Sequence, residues 1–302
     1  AGLSFAGDMV KMGYDVYVFE ALHEIGGVLK YGIPEFRLPN AIVDVEIENL
    51  SKMGVHFQTD VIVGKSISVD ELEKQGFKGI FVASGAGLPN FMNIPGENFI
   101  NIMSSNEYLT RVNLMDAANP QTDTPINLGK NVLVVGGGNT AMDSCRTAKR
   151  LGANVTLAYR RSDAELPARA EEVKHAKEEG INFMTLHNPV EYLADEKGAV
   201  KQAILAVMKL GEPDESGRRS PIDTGERVTI DCDQVVVAVG VSPNPLVPKS
   251  IAGLELGRKN TIAVGDDMQS SRKLLYAGGD IVRGGATVIL AMGDGRRAAA
   301  NM

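Results

Sequence analysis

Small residues at a fixed spacing follow a buried apolar run and have the chemistry to hold a pyrophosphate. Residues 132–135 are continuously apolar, which is typical of a strand buried on both faces of a parallel sheet. The next residues give Gly-x-Gly-x-x-Ala. In this pattern the first glycine allows a tight turn, the second lets the backbone approach a pyrophosphate, and the small third residue lets helix and strand pack closely. The helix that follows would turn its free N–H groups toward the phosphates. The residues expected to contact a dinucleotide here are Gly136, Gly138, Asn139, Thr140 and Ala141.

Two arginines end the next expected strand, at residues 154–159. An acidic residue at this place would bond a ribose 2′-hydroxyl, whereas arginine suits a 2′-phosphate. Arg160 and Arg161 therefore favour NADP over NAD. The alternative interpretation is that both arginines only end an edge strand in solvent.

The start of the chain has the pattern of the second half of another strand–helix–strand unit. A helical stretch over residues 1–12 is followed by Gly13 and by a strand that ends at Glu20. Gly2 would be the third glycine of the motif, and Glu20 lies about 20 residues from it, the spacing of a ribose ligand. The first strand and the two leading glycines are absent from the sequence. We therefore expect a fragment that binds this second nucleotide weakly or not at all, and Glu20 is otherwise a strand-end carboxylate without a ligand.

Composition excludes several classes of protein. The 302 residues carry 31 basic and 38 acidic side chains, and the net charge of −7 disfavours nucleic acid or an anionic membrane as a partner. No apolar run is long enough for a transmembrane helix, and we expect a cytoplasmic protein. The two cysteines, Cys145 and Cys232, form no C-x-x-C, so a redox-active dithiol and a cysteine-held iron–sulfur cluster are unsupported. The histidines lack the spacing of metal ligands, so no metal site is expected.

Five stretches carry a resemblance to a known family: YGIPEFRLP, VVGGGNTAMD, YRRSDAELPAR, AVGVSPNP and AGGDIVRGGATVILAMGDGRRAA. They cover nearly the whole chain and resemble the flavoproteins with two dinucleotide-binding domains. Within that family the chain is similar to the small (beta) subunit of NADPH-dependent glutamate synthase and to the large subunit of NADH-dependent ferredoxin:NADP oxidoreductase. The cysteine-rich N-terminal domain of that family, which carries iron–sulfur clusters, does not occur in the sequence.

The resemblance implies FAD and NADP as cofactors and gives roles to particular residues. Glu20 would hold the FAD ribose, and Asp280 would bond the ribitol–pyrophosphate region. The residues implied to lie along the flavin are Gly26, Gly27 and Arg37. A helix N-terminus is implied at the N1/O2 edge of the flavin, formed by Ala286, Thr287 and Val288. The helix dipole there stabilises negative charge on the reduced ring. Small residues at strand ends that can lie against a nucleotide add Gly85, Gly240 and Gly279.

The expected fold class is α/β, with two Rossmann-like dinucleotide-binding domains that have central parallel sheets. A polar, proline-bearing connector at residues 119–125 suggests a boundary, and a strand ending in Gly-Gly-Asp returns near the end of the chain. We therefore expect an FAD domain made of residues 1–125 and 241–302, with an NADP domain of residues 126–240 inserted in it.

The family chemistry is hydride transfer from nicotinamide C4 to flavin N5, followed by single-electron transfer toward iron–sulfur centres. Such transfer needs positioning rather than an acid or a base, so we expect no catalytic side chain. The implied partner is the glutamate synthase large subunit or another iron–sulfur acceptor, and a homodimer is possible. A dithiol–disulfide reductase on the same fold lacks its C-x-x-C. A chain that binds NADP without functional FAD stays an open alternative.

Overall fold

The structure is a computed structural model that describes residues 1–302 and divides into two compact units. Unit 1 comprises Ala1–Lys30, Leu38–Leu88 and Val241–Met302. Unit 2 comprises Tyr31–Arg37 and Pro89–Gly240. Each unit is therefore built from segments that are distant in the sequence.

A five-stranded sheet forms the centre of unit 2, and every neighbouring pair of its strands is parallel. In spatial order the strands are Ile102–Ser104, Gln234–Val237, Asn131–Val135, Asn154–Tyr159 and Asn182–Thr185. Parallel neighbours need crossover connections, which are usually helical. The helices of this unit are Ser105–Leu109, which continues into the π-helical Thr110–Leu114, then Asn139–Arg150, the 3₁₀ turn Asp163–Glu165, and Ala170–Glu178.

An antiparallel sheet of three strands also belongs to unit 2. In spatial order its strands are Arg219–Asp231, Val200–Pro213 and His187–Ala194. Two core clusters flank the parallel sheet, one with the helices and one with side chains of this antiparallel sheet.

Both faces of the parallel sheet are buried, which confirms the expectation from the apolar run at residues 132–135. Val132 and Val134 pack in the cluster that contains residues of helix Asn139–Arg150. Leu133 and Val135 pack in the opposite cluster. Successive side chains of a strand point to opposite faces, so a run without polar residues is needed wherever both faces are covered.

Unit 1 contains two pairs of short parallel strands. Tyr17–Phe19 pairs with His56–Gln58, and Ile80–Val82 pairs with Leu275–Ala277. Its helical segments are Gly2–Lys11, Val28–Tyr31 at the passage to unit 2, Asn40–Lys52, Val69–Lys74, Leu246–Ser250, the 3₁₀ turn Arg258–Asn260, Asp280–Arg283 and Val288–Asn301. A further short pair, Leu88–Pro89 with Val241–Ser242, forms where the chain passes between the units. None of the helices in the chain has both the length and the apolar composition needed to cross a bilayer.

The expected domain boundary near residue 125 falls inside unit 2. Residues 89–125 belong to that unit, because Ile102–Ser104 adds an edge strand beside Gln234–Val237. Tyr108 and Leu109 are buried in the core cluster on one face of the same sheet. The proline-bearing connector at residues 119–125 is therefore a loop within unit 2, and the division between the units lies at residues 88 and 89.

Charge anchors the segment Tyr31–Arg37 on unit 2. The Arg37 Nη1 lies 2.7 Å from both carboxylate oxygens of Asp143, and the Arg37 Nε lies 3.2 Å from a Glu172 oxygen. Asp143 is buried in helix Asn139–Arg150. Burial raises the pKa of the Asp143 carboxyl to about 6, and the Arg37 guanidinium opposes this rise. The arginine therefore compensates a carboxylate that would otherwise be buried at a high desolvation cost.

The ring beside Arg37 is anchored on the same helix. The guanidinium carbon of Arg146 lies 4.6 Å from the centre of the Phe36 ring, and that of Arg150 lies 4.3 Å from it. Arg146 also pairs with Glu172 and Glu179, at 2.7 and 3.0 Å. Cation–π contacts and ion pairs therefore hold one short segment to the helix that follows the glycine-rich turn.

We expect the Arg37→Met variant to lose about 3 kcal/mol of unfolding free energy at pH 8, because it leaves a buried carboxylate unpaired. The folded-state pKa of Asp143 lies above 3.8, so the stability linked to its proton is present below 3.8 and is lost as the pH rises through about 6. Without Arg37 that pKa rises further, so the deficit should be smaller at pH 5 than at pH 8. Urea unfolding at both pH values measures it.

The control is the double variant Arg37→Met with Asp143→Asn, in which the deficit should no longer depend on the ionisation of Asp143. An Arg37→Met deficit that is equal at pH 5 and pH 8 would show that Asp143 does not carry the effect.

Candidate nucleotide-binding sites

The glycine-rich turn of unit 2 is held between two neighbouring strands. The Gly136 N–H donates to the Ala158 carbonyl oxygen at 3.0 Å, and the Ala238 N–H donates to the Val135 carbonyl oxygen at 2.8 Å. Gly136 has a φ of +135°, and a Cβ at this position would lie 2.3 Å from the Ala238 carbonyl oxygen. Only glycine fits both the backbone conformation and the close approach.

The helix after this turn has an open N-terminus. Gly138 is the N-cap of helix Asn139–Arg150, and no side chain caps the helix. A Cβ at Gly138 would meet no atom within 4 Å, and its φ of −87° is ordinary. The first N–H groups of the helix are therefore open to an anionic ligand. Ala141 is fully buried in the core, as expected of the small third residue.

The other residues expected at this site differ in whether they are exposed or already hydrogen-bonded within the protein. Thr140 is exposed in the first turn of the helix, whereas the Asn139 Oδ1 accepts a hydrogen bond from the Arg169 N–H at 2.9 Å. Gly240 has a φ of +104°, and its carbonyl accepts from the Asn90 N–H at 3.0 Å. Asn139 is thus occupied in holding the following loop, and Thr140 presents the freer side chain.

Arg160 and Arg161 follow strand Asn154–Tyr159 without a carboxylate partner. Arg160 is exposed. The Arg161 Nε is buried with no hydrogen-bond partner, and its guanidinium carbon lies 5.9 Å from the Tyr159 ring centre. The nearby Glu165 is engaged by Arg219 at 3.1 Å. An unpaired buried donor is costly, so an anionic group beside these side chains would remove a penalty. This arrangement fits a 2′-phosphate.

In unit 1, Glu20 follows strand Tyr17–Phe19. Its Oε1 accepts from the Leu22 N–H at 3.0 Å. Burial raises the pKa of the Glu20 carboxyl, and backbone hydrogen bonds from Leu22 and Ala21 oppose the rise. One carboxylate oxygen is thus tied to the chain, which fixes the direction of the other. Gly2 begins helix Gly2–Lys11, which also lacks a side-chain cap.

A buried lysine supports the turn at Gly26 and Gly27. These glycines have φ values of +133° and +55°, and a Cβ on Gly26 would lie 2.9 Å from the Lys30 Cγ. The Lys30 Nζ lies 2.5 Å from a carboxylate oxygen of Glu24 and 2.5 Å from one of Asp44. Burial lowers the pKa of the Lys30 ammonium, but the hydrogen bonds and charges of Asp44 and Glu24 together outweigh burial and raise that pKa. The lysine therefore ties the residues before the turn to helix Asn40–Lys52.

Later in unit 1, a loop leads into helix Val288–Asn301. Gly279 has a φ of +78°, and the Asp280 Oδ1 accepts from the Ala286 N–H at 3.1 Å. The Thr287 hydroxyl caps the helix by accepting from the Leu290 N–H at 3.4 Å. Apolar side chains at its start are exposed, from 43% for Val288 to 72% for Ile289. An open apolar surface beside a helix N-terminus and a carboxylate fits a flavin ring and its ribitol chain.

Gly85 and Arg37 are the remaining residues that the sequence places near the flavin. Gly85 follows strand Ile80–Val82 with a φ of +67°, and a Cβ there would meet nothing within 4 Å. Arg37 is engaged by Asp143 and Glu172 in unit 2, so its contact with a flavin stays a prediction.

Sequence reasoning missed three charged residues behind these turns: Lys30, Asp143 and Asp294. All three are buried. Asp143 lies within a stretch that carries the family resemblance and Lys30 lies beside another, but the partner of Asp143 is 106 residues away and Lys30 pairs with Asp44 as well as with Glu24. The only sequence signal that could have indicated a buried charge was a charged residue among small and apolar neighbours, as at Asp294 in AMGDGRR.

Curated relatives are similar to the whole of this chain. The beta subunit of an NADP(+)-dependent formate dehydrogenase from Moorella thermoacetica is 39% identical over 307 residues, covering 100% of this chain and 42% of the relative. The small chain of a glutamate synthase [NADPH] from Halomonas elongata is 34% identical, covering 99% of this chain and 64% of the relative. The chain thus spans about two fifths to two thirds of the length of these relatives, and the expected resemblance to the glutamate synthase small subunit is confirmed.

Solved structures share the fold at low identity. FprA from Mycobacterium tuberculosis superimposes with a TM-score of 0.82 at 19% identity, covering 99% of this chain and 81% of that protein. Thioredoxin reductase from Lactococcus lactis gives a TM-score of 0.74 at 21% identity, covering 99% and 93%. These similarities confirm the expected α/β fold with parallel sheets.

Residues 1–295 match the family described as pyridine nucleotide-disulphide oxidoreductase. This match and the relatives confirm the expected oxidoreductase class, with NADP and FAD as the cofactors of the family. The chain belongs to the pyridine nucleotide-disulphide oxidoreductase family.

Proposed function

We propose that unit 2 binds NADPH, that unit 1 binds FAD, and that the chain passes electrons from NADPH to an iron–sulfur or flavin acceptor in a partner. The observation that carries this proposal is the open helix N-terminus after Gly138, with the unpaired Arg160 and Arg161 at the end of the next strand. A pyrophosphate and a 2′-phosphate need these two kinds of donor.

In unit 2 the work of the chain is binding and orientation. Gly136 fixes the turn, Gly138 leaves space for the pyrophosphate, and the N–H groups from Asn139 to Ala141 donate to it. Arg160 and Arg161 select the 2′-phosphate, and Gly240 lies at the edge of the same nucleotide site. No side chain of unit 2 is proposed to act as a general acid or base.

In unit 1, Glu20 receives the ribose hydroxyls and Asp280 the ribitol–pyrophosphate region. The residues assigned to backbone contacts with the same nucleotide are Gly2, Gly26, Gly27, Gly85 and Gly279. A flavin held by these residues would supply the chemistry of hydride acceptance and single-electron release. Ala286 and Thr287 precede the helix that begins at Val288, and this helix start would support negative charge at the ring edge, because N–H groups and the positive dipole end lie there.

The relatives suggest the type of partner. Their printed names describe a beta subunit of a formate dehydrogenase, a small chain of glutamate synthase and a subunit of an NADPH-Fe(3+) oxidoreductase. We infer a module of the glutamate synthase small-subunit type, with the NADH-dependent ferredoxin:NADP oxidoreductase type as the alternative. The free thiols of Cys145 and Cys232 suit a cytoplasmic location. A homodimer stays a prediction that sedimentation tests.

The proposal is tested on the 302-residue protein after incubation with FAD and removal of the unbound flavin. Retained flavin absorbance that bleaches on anaerobic addition of NADPH supports the binding of both nucleotides and hydride transfer from NADPH to FAD. NADPH binding without retained flavin would limit the chain to the alternative, an NADP-binding protein without functional FAD.

We expect the Arg160→Ala variant to bind NADPH roughly ten- to a hundredfold more weakly and to bind NADH as the unaltered protein does. A charge-assisted hydrogen bond contributes about 1.5–3 kcal/mol, and NADH lacks the phosphate that receives it. Isothermal titration with both cofactors measures the ratio of dissociation constants.

The matched control is Lys174→Ala, which removes an exposed cation of unit 2 that pairs with Glu178 at 3.7 Å. This variant should leave the NADPH to NADH ratio unchanged. Equal affinities of the unaltered protein for both cofactors, or an unchanged ratio in Arg160→Ala, would contradict the assignment.

We expect Gly138→Ala to fold normally and to lose at least about tenfold in NADPH affinity. The new methyl group meets no protein atom, but it occupies the space that the pyrophosphate needs. Gly136→Ala should instead be destabilised by about 2–3 kcal/mol, because its Cβ collides with the Ala238 carbonyl and its φ is strained. Thermal unfolding and NADPH titration of both variants separate the two effects. Unaltered NADPH affinity in Gly138→Ala would place the pyrophosphate elsewhere.

A further inference from the structure

A buried carboxylate with no role in the proposed reaction lies behind the loop that precedes helix Val288–Asn301. Asp294 is 1% exposed. Its Oδ2 accepts from the Gly279 N–H at 3.1 Å and lies 2.6 Å from the Arg283 Nε, while its Oδ1 lies 2.6 Å from the Arg283 Nη2. The hydrogen bonds from Arg283 hold the pKa of Asp294 below its ordinary value, so the carboxylate stays charged at neutral pH.

This one carboxylate anchors both ends of a short helix. The helix Asp280–Arg283 has a single turn, with Gly279 before it and Gly284 after it at φ values of +78° and +75°. Asp294 binds the residue that precedes the helix and the last residue within it. A single turn of helix has little intrinsic stability, so its orientation depends on such tertiary anchors.

The approach of Asp294 to this loop requires a glycine in the strand end. A Cβ on Gly278 would lie 2.8 Å from the Asp294 Cβ and 3.0 Å from the Phe81 ring. The Gly-Gly-Asp sequence thus serves two purposes: Gly278 admits the carboxylate, and Gly279 supplies both the turn and the N–H that the carboxylate accepts.

The orientation of this short helix determines where Asp280 points. Asp280 is its first residue, and the Asp280 Oδ1 accepts from the Ala286 N–H at 3.1 Å. The hydrogen bond from Ala286 occupies the Asp280 Oδ1, which leaves the Asp280 Oδ2 to accept from a ligand hydroxyl. The chain of contacts therefore runs from Asp294 through Gly279 and Arg283 to the Oδ2 of Asp280.

Stability alone does not account for this ion pair. A buried pair recovers its desolvation cost only with good geometry, and apolar residues of similar size are often as stable. An apolar residue at position 294 would fill the space, but it would not hold the Gly279 N–H or the Arg283 guanidinium.

We propose that Asp294, through its bonds to Gly279 and Arg283, is a positioning residue that aims the Asp280 carboxylate at the polyol chain of the flavin nucleotide. This inference rests on the proposed function of unit 1. It assigns to the Asp294–Arg283 pair a role in affinity for the nucleotide that is separate from its contribution to folding.

The test compares Asp294→Asn, Arg283→Met and Arg283→Lys with the unaltered 302-residue protein. Asparagine keeps the volume and an acceptor for Gly279 but loses the charge, and lysine keeps the charge of Arg283 without its two-pronged geometry. FAD affinity is measured by quenching of flavin fluorescence, and hydrogen exchange of the amides at residues 278–287 is measured without FAD. The matched control is Arg272→Met, which removes another arginine of unit 1, paired with Asp70 and Glu73 at 2.8 and 2.7 Å.

We expect the FAD dissociation constant to rise about tenfold or more in Asp294→Asn and Arg283→Met, with partial recovery in Arg283→Lys. Exchange at residues 278–287 should be faster in the same two variants. Arg272→Met should lower the melting temperature and leave FAD affinity unchanged.

Unaltered FAD affinity or unaltered exchange in Asp294→Asn and Arg283→Met would overturn the inference and leave the proposed function intact. An equal loss of FAD affinity in Arg272→Met would reduce the role of the pair to general stability and would overturn it as well. An unaltered protein that binds no FAD would refute the flavin half of the proposed function, and the inference with it.

Discussion

The close approach of backbone segments that no side chain separates is the constraint on which both units depend. At Gly136 an added Cβ would lie 2.3 Å from the Ala238 carbonyl oxygen, so the turn after the central strand must carry no side chain at this position. At Gly295 an added Cβ would lie 2.4 Å from the Ala1 carbonyl oxygen, so helices Gly2–Lys11 and Val288–Asn301 pack nearly backbone to backbone. Strands and helices that meet this closely leave helix N-termini beside strand ends, which is where a parallel sheet binds phosphates.

Each unit has a buried carboxylate on the helix that follows a glycine-rich turn, and each carboxylate binds an arginine. In unit 2 Asp143 binds Arg37 of a distant segment, and in unit 1 Asp294 binds Arg283 and the Gly279 N–H. Glycine-rich loops lose much conformational entropy on folding and have few side chains of their own to pack. In unit 1 the Asp294–Arg283 ion pair, with the bond from the Gly279 N–H, supplies order that the loop sequence lacks. In unit 2 the Asp143–Arg37 pair instead holds the segment Tyr31–Arg37 on the helix that follows the turn.

The parts of this fold that are determined by residues close together in the sequence could be predicted from the sequence. The strand, turn and helix from residue 131 to residue 150 were expected because an apolar run, glycines at fixed spacing and a small residue all act locally. The partners of Arg37 were not, because Asp143 is 106 residues away and nothing in either neighbourhood specifies the other. The strand Ile102–Ser104 was missed for a similar reason. Three residues carry little periodicity, and pairing with Gln234–Val237 decides their membership of the sheet.

The two cysteines of the chain are buried apart from each other. Cys145 and Cys232 lie in core clusters on opposite faces of the parallel sheet, so the sheet itself separates their sulfur atoms. Burial raises the pKa of the Cys145 thiol well above its ordinary value and that of Cys232 to about 12. Thiols that stay protonated are poor nucleophiles, and thiols held apart by a sheet form no disulfide. In the reaction we propose, electrons taken from NADPH are therefore not stored on a dithiol of Cys145 and Cys232, although the family is described by disulphide chemistry.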